Sequence, residues 1–260
     1  MNNYKFFISV CLMAILLSCS GNFEPISPES RAGVSSSSLA SSSSSEEPSS
    51  SSTNENKSSS TEQSYSSSNC ADFNDGKREH YGQDKEQFCD ERDDNRYVFV
   101  EINNQTWMAE NLNYAVTGSI CPANDENNCN IYGRLYDWET ANKICPSGWH
   151  LPEKKELDTL IQYITSYFDI TEVGKHLKAT SRWEGNNGDD DFGFSALPAG
   201  NSFVDSVGTY GFWWNSDLST ENETEAYIYA MLGLYSYIAQ ARTSIEETKN
   251  SVRCIKDGAK

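Results

Sequence analysis

The sequence has few basic residues and very few histidines. Of its 260 residues, 20 are lysine or arginine and three are histidine, against 38 acidic residues, for a formal net charge of −18. A field of that sign repels phosphate backbones, so the sequence argues against a nucleic acid partner. The chain also has no Gly-x-Ser-x-Gly, P-loop or His-Glu-x-x-His motif. We therefore expect no enzyme, with a glycosidase built from two of the many carboxylates as the lesser alternative.

An apolar run long enough to cross a membrane is also missing. The run at residues 6–17 follows Lys5 and has about a dozen residues, too few for a hydrocarbon core of about 30 Å. Its length is typical of a removable signal peptide, here residues 1–18. The stretch Leu16-Leu17-Ser18-Cys19 resembles the bacterial lipobox, so we expect an exported protein anchored by acylated Cys19 in the outer membrane at the cell surface. A plain secretory signal beside an accidental cysteine is the alternative.

Residues 19–69 have almost no apolar side chains and are dominated by serine. A segment of this composition has nothing with which to build a core, so we predict a disordered linker. As a flexible coil, its roughly 50 residues have a root-mean-square reach of about 40 Å. The core then belongs to the rest of the chain, which we divide into a polar collar at residues 70–96 and a main domain at residues 97–260.

The sequence has no Cys-x-x-Cys pair, the spacing that zinc sites use. Cys11 lies in the signal run, and the six cysteines beyond Cys19 form an even set that predicts disulfides in an exported protein. Many connectivities are open, but spacing favours three pairs: Cys70–Cys89, Cys121–Cys129 and Cys145–Cys254. The first pair would hold the collar as an irregular wrap. The second would close a hydrophilic loop, and the third would join the first helix to the last strand.

The main domain begins with a hairpin and ends with strands. Residues 97–102 alternate apolar and polar side chains, and two asparagines turn the chain into residues 106–112. Residues 136–152 predict a short helix that stops at a Pro-Ser-Gly turn, followed by a second helix that begins at Pro152. An apolar stripe marks that second helix: Leu157, Leu160, Ile161, Ile164 and Phe168. Three closing strands are predicted at residues 225–231, 235–241 and 251–255. Two helices between a leading hairpin and late antiparallel strands make an α+β domain.

Five sequence motifs resemble, in order, those of the Fibrobacter succinogenes major paralogous domain. They are Thr106-Trp-Met-Ala-Glu-Asn-Leu-Asn113, Cys145-Pro-Ser-Gly-Trp-His-Leu-Pro152, Asp190-Asp-Phe-Gly-Phe-Ser-Ala-Leu-Pro-Ala-Gly200, Phe212-Trp-Trp-Asn-Ser216 and Ser251-Val-Arg-Cys-Ile-Lys-Asp257. The resemblance covers about residues 89–257. It implies a C-type-lectin-like, formylglycine-generating-enzyme-like fold with two helices and antiparallel strands, and it implies no particular activity.

Aromatic side chains are numerous in the late, loop-rich segments. Six are candidate ligand-binding residues: Trp183, Tyr210, Trp213, Trp214, Tyr227 and Tyr235. An exposed aromatic face stacks well on sugar rings, because these present apolar C–H surfaces. The alternative for each ring is a place in the core between strands.

Oxygen-bearing side chains loosely match the calcium-binding loops of C-type lectins, since hard cations take oxygen ligands. The candidates are Asp189, Asp190, Asp191, Asn215 and Asp217. The Glu-Pro-Asn loop of those lectins is missing, and ordinary Asx turns are the alternative. No other cofactor is expected. His150 lies in a predicted buried corner, while His80 and His176 have no evident nucleophile beside them.

These observations favour a non-catalytic surface lipoprotein whose lectin-like head binds an extracellular ligand, with polysaccharide as the leading class. The lipid anchor, the linker, the disulfides and the surplus of aromatic residues support it. A structural or assembly component of the envelope that binds other proteins is the alternative, and a hydrolase is a lesser one.

Overall fold

The computed structural model describes Cys70 and residues 86–258. The predicted signal peptide, Cys19, the linker and His80 lie outside the described residues. Within the described part of the chain, no helix is long and apolar enough to cross a membrane.

Two five-stranded sheets form the framework of the described residues. The first has the order β1-β2-β3-β10-β5 and every pairing in it is antiparallel. Its strands are β1 (Glu86–Asp90), β2 (Asn95–Ile102), β3 (Gln105–Met108), β5 (Trp149–His150) and β10 (Ile255–Lys256). The second has the order β4-β9-β6-β7-β8, antiparallel except for the β6–β9 pair. Its strands are β4 (Leu135–Tyr136), β6 (Tyr210–Leu218), β7 (Glu225–Leu232), β8 (Ile238–Ser244) and β9 (Asn250–Ser251).

Four α-helices accompany these sheets in the described residues: α1 (Glu126–Tyr132), α2 (Trp138–Ile144), α3 (Lys154–Ile164) and α4 (Val173–Leu177). The predicted α+β class is confirmed, but the prediction of two helices is wrong. Helix α1 lies where a hydrophilic loop was expected, because the Asp125 side chain caps it by accepting from Asn127 N. Only Cys129 and Tyr132 of this helix are buried, too few to give the sequence an apolar stripe.

The leading hairpin is confirmed, but the described part of the collar at residues 86–96 is more regular than predicted. β2 and β3 pair antiparallel from Phe99↔Met108 to Ile102↔Gln105. The expected irregular wrap includes β1, which pairs with β2 along all five of its residues. The reason is packing, since the Phe88 ring stacks on Trp149 at a centroid distance of 4.4 Å.

The stretch at residues 136–152 folds much as the positions of its prolines and its glycine predict. Helix α2 ends at Ile144, and Cys145 is extended, as a residue before proline prefers to be. Gly148 takes a φ of +80°, which only glycine adopts without strain, and turns the chain into β5. Pro152 lies before the helix rather than in its first turn, because Glu153 and Glu156 form a capping box that starts α3 at Lys154.

The core unites both sheets through α3. The stripe residues Leu157, Leu160, Ile161 and Ile164 are buried in one cluster with Trp107 of the first sheet and Trp213 of the second. The three disulfides are those predicted from spacing, and Cys145–Cys254 joins residues 109 positions apart at a Cα distance of 5.9 Å. The strand predicted at 251–255 is divided, since β9 belongs to the second sheet and β10 to the first. The strand predicted at 235–241 begins only at Ile238.

Candidate functional site

Three of the six candidate aromatic residues lie in the core. Trp183, Trp213 and Trp214 are buried, and their indole N–H groups donate to Ala196 O, Asn111 Oδ1 and Tyr136 O at 2.9, 2.8 and 2.7 Å. Trp213 and Trp214 belong to different hydrophobic clusters, because neighbours on a strand point to opposite faces and both faces of β6 are covered. Their assignment to an exposed ligand-binding face is therefore corrected.

The remaining candidates are tyrosines, and two of them come together. Tyr235 is 48% exposed and its ring centroid lies 5.2 Å from that of Tyr237. Burial and the nearby Tyr235 hydroxyl raise the pKa of Tyr210, which pairs with Leu232 at the end of β7, two residues before Leu234. Leu234, 73% exposed, extends the same patch. We call the group Tyr210, Leu234, Tyr235 and Tyr237 the tyrosine surface.

Tyr227 does not belong to this surface. It pairs with Arg242 of β8 and lies five residues before the end of β7. At about 3.3 Å per strand residue, that distance is roughly 17 Å. The structure therefore leaves Tyr210 and Tyr235 as candidate ligand-binding residues, adds Tyr237 and Leu234, and sets Tyr227 apart.

A buried lysine holds the turn that presents the surface. The Lys178 Nζ donates to Leu232 O at 2.6 Å and to Tyr235 O at 2.7 Å. Its ammonium also lies 4.5 Å from the ring centroid of Trp183, a cation–π contact. Burial lowers the pKa of Lys178 to about 8. One side chain thus fixes the backbone on both sides of Leu234, which keeps Leu234 and Tyr235 outside.

Helix α4 closes on the same turn from the other side. Lys175 N donates to Ser236 O at 2.8 Å. The approach is so close that a Cβ on Gly174 would lie 2.4 Å from Tyr237 O. Only glycine fits there, so the tyrosine surface rests on a backbone that is held by α4 and by Lys178 together.

The predicted calcium ligands divide into two groups. Asp190 accepts from Ser195 N and Oγ, Asn215 Oδ1 accepts from Asp217 N, and Asp217 accepts from Lys154 N at the start of α3. These three side chains hold turns and a helix end, as the Asx-turn alternative expects. Asp189 and Asp191 instead converge on a residue outside the predicted set, His176.

His150 likewise lies between two carboxylates. Its Nδ1 is 2.7 Å from Asp257 Oδ1 and its Nε2 is 3.1 Å from Glu156. The two acids come from different parts of the chain: Asp257 follows β10, and Glu156 lies in the first turn of α3. His150 was predicted to be buried in its corner, and its side chain is instead 36% exposed.

The sequence motifs meet at a buried amide. Asn111 Oδ1 accepts from Trp213 Nε1 and from the Arg253 guanidinium, and Asn111 Nδ2 donates to Tyr132 O. The same guanidinium donates to Phe194 O and stacks over the Phe194 ring. All of these residues except Tyr132 lie in the motifs, one in each of four, so those motifs build the core rather than a surface.

A polar cleft of about 250 Å³ lies beside this centre. Its polar lining comes from β2, the segment after β3, and α1: Asn95, Arg96, Glu110, Asn113 and Asn130. The volume is below the roughly 300 Å³ at which ligand pockets begin. The tyrosine surface is therefore a better candidate than this cleft for binding a large ligand.

The described residues thus define a disulfide-bonded α+β domain that carries an exposed aromatic patch on a clamped turn. A family model described as the Fibrobacter succinogenes major domain matches residues 100–256, more than half of the chain. The chain belongs to this family, which confirms the resemblance drawn from its motifs. No curated protein and no solved structure matches the chain.

Proposed function

We propose that the chain is a non-catalytic surface lipoprotein whose head binds extracellular polysaccharide through the tyrosine surface. The observation that carries the proposal is the exposure of Tyr235 and Leu234 on a turn that Lys178 and α4 hold in place. A fixed aromatic ring loses little conformational entropy when a ligand stacks on it. Tyrosine also offers a hydroxyl for hydrogen bonds at the edge of the ring.

The charge of the chain favours a neutral polymer. A net charge of −18 repels polyanions, so uronate-rich and sulfated polysaccharides are disfavoured relative to neutral glucans and xylans. Repulsion of this kind weakens as salt screens it, over a Debye length of about 8 Å at physiological ionic strength.

The contacts of the chemically reactive groups support binding without catalysis. His150 and His176 each contact carboxylates, rather than a hydroxyl or thiol that could act as a nucleophile. The six cysteines beyond Cys19 form disulfides, so no thiolate is available among them.

The anchor and the lectin-like arrangement belong to the same proposal. Lipid on Cys19 and the serine-rich linker would hold the head about 40 Å from the membrane, within reach of an insoluble polymer. A C-type-lectin-like assignment is supported by β10, which inserts between β3 and β5 and so brings the two ends of the domain together. The bridge from α2 to the segment before β10 supports it as well.

The test is retention of the full chain, purified in detergent, on insoluble cellulose and xylan with alginate beads as the anionic comparison. We expect retention on a neutral polymer, and a loss of about 3- to 10-fold in affinity for Tyr235→Ala, since an aromatic contact contributes about 0.5–1.5 kcal/mol. Tyr167→Ala is the matched control, because Tyr167 is 64% exposed in a separate aromatic group with Tyr163 and Phe192. No retention on any polymer, or equal loss in both variants, contradicts the proposal; crosslinking to defined envelope proteins would then favour the protein-binding alternative.

A further inference from the structure

A histidine and two aspartates converge beside α4. The ligand atoms of His176, Asp189 and Asp191 all lie within 4.8 Å of one another. Asp189 N donates to Lys175 O at 3.0 Å, which fixes the acidic loop against the helix. This backbone hydrogen bond therefore holds the loop that carries the two aspartates next to His176.

His176 is held in one orientation, with Nδ1 directed at the acidic loop. Its side chain is 5% exposed, and the Phe168 ring stacks on it at a centroid distance of 3.6 Å. Nδ1 contacts Asp191 Oδ2 at 2.6 Å, while Nε2 is buried with no hydrogen-bond partner among the described residues. A buried polar atom without a partner is uncommon, because its desolvation is left uncompensated. Nδ1, which faces the two carboxylates, is therefore the nitrogen placed to bind an ion between them, while Nε2 points to the other side of the ring.

The charges around the ring leave a deficit of positive charge. Asp189 and Asp191 are each 45% exposed, and the ammonium of Lys175 lies 2.8 Å from Asp189 Oδ2. With a neutral histidine the four side chains sum to one negative charge. The lysine occupies the outer side of the cluster on a flexible stem, so a divalent cation can displace it.

We propose that His176, Asp189 and Asp191 form a binding site for a divalent transition-metal ion such as Zn²⁺. One imidazole nitrogen and two carboxylate oxygens suit Zn²⁺ and its neighbours, whereas Ca²⁺ takes oxygen ligands only. Three protein ligands leave at least one coordination position to water. The site differs from the predicted calcium set, of which Asp190, Asn215 and Asp217 have other partners.

The experiment is a titration of the full chain, without a histidine tag and after chelator treatment, with Zn²⁺ by calorimetry and with Co²⁺ by its visible absorption. We expect one ion per chain and a loss of at least about tenfold in affinity for His176→Gln. Because His176 is buried, Asp189→Asn serves as a second variant whose half-exposed side chain does not support the core. Lys175→Gln is expected to bind more tightly, since it removes the competing ammonium.

His150→Gln is the matched control. His150 also has two carboxylate neighbours, Asp257 and Glu156, but they contact opposite nitrogens of its ring. Its loss should leave the affinity unchanged. Failure to bind Zn²⁺ or Co²⁺, equal affinity in His176→Gln, Asp189→Asn and the unaltered chain, or Ca²⁺ binding as tight as that of Zn²⁺ would each overturn the proposal.

Discussion

At the scale of single residues, the most consequential side chain is Asn111. Its amide oxygen accepts hydrogen bonds from the indole N–H of Trp213 and from the guanidinium of Arg253. The same guanidinium also donates to the carbonyls of Phe194 and Ser195. Burial lowers the pKa of Arg253. A cation that is buried against neutral oxygens depends on each of them, because no solvent replaces a lost acceptor.

Replacing Asn111 with alanine should therefore destabilise the fold strongly. We expect a loss of about 3–5 kcal/mol in the free energy of unfolding, the range for removing one partner of a buried charge. Urea denaturation followed by tryptophan fluorescence measures it. Asn142→Ala is the control, since that exposed amide donates only to Trp138 O; a similar loss in both variants would refute the role of Asn111.

His150 gives the molecule a stability that depends on pH. Burial alone would lower the His150 pKa, but hydrogen bonds to Asp257 and Glu156 raise it above its ordinary value. A raised folded-state pKa stabilises fully below the unfolded value of about 6.5, and this stability is lost as pH rises through the folded pKa. Because the ring is partly exposed, we expect no more than about 1 kcal/mol.

The check is urea unfolding of the full chain and of His150→Gln at about pH 5.5 and about pH 8.5. The stability difference between the two proteins should be larger at the lower pH. If the difference in the free energy of unfolding is instead larger at the higher pH, Asp257 and Glu156 do not stabilise the protonated form of His150.

At the scale of elements, the turn between β7 and β8 is determined by contacts from elsewhere in the chain. Tyr235 O accepts from Lys178, and Ser236 O accepts from the backbone of α4. Strand β8 therefore starts at Ile238, and the three preceding residues stay in the turn. The alternation of side chains along the strand does not predict this later start, because the lysine that fixes the turn is distant in sequence.

Lys178→Met keeps the length of the aliphatic stem and removes the donor. The Tyr235 carbonyl then loses its donor, at about 1–3 kcal/mol for a group left unpaired, while Leu232 O keeps the hydrogen bond from Tyr235 N. Amide hydrogen exchange in residues 233–237 should become faster, and retention on polysaccharide should fall. Lys155→Met on the exposed side of α3 is the control; unchanged exchange in Lys178→Met would contradict the anchoring role.

Several features that depend on residues close together in sequence were predicted correctly, and several that depend on distant residues were not. The stripe from Leu157 to Ile164 and the Gly148 turn depend on neighbours a few positions away, and both were predicted. Trp213 and Trp214 are both buried because other elements of the fold cover each face of β6. The sequence of β6 alone does not show which other elements pack on it. His176 and Asp191 meet across a loop of 15 positions, so no local pattern joins them. The prediction that Trp183, Trp213 and Trp214 belong to an exposed aromatic face was therefore wrong, and the histidine cluster was missed.

At the scale of the whole molecule, the Cys145–Cys254 bridge and the divided last strand join the two sheets. Ile255 pairs with Trp107 and His150 in the first sheet, and Ser251 pairs with Leu135 and Trp213 in the second. The bridge lies between these two pairings, so it restrains both sheets at once.

Cys145→Ala with Cys254→Ala should lower the free energy of unfolding by about 2–5 kcal/mol, the range for native bridges in small domains. Calorimetry of the full chain measures it. The double change Cys121→Ala with Cys129→Ala removes a bridge that closes a loop of only 8 positions, and it should have the smaller effect. The reverse order would show that loop size does not govern these bridges.

The position of β9 and β10 also bears on biosynthesis. Residues leave the ribosome in order, at about 5–20 per second, so roughly 7–30 s separate the emergence of Trp107 from that of its partner Ile255. Throughout that interval β9 and β10 are missing, so β4 and β6 of one sheet, and β3 and β5 of the other, lack the strand that joins them. Such a delay suits the export that we propose, because a secretion channel admits only unstructured polypeptide.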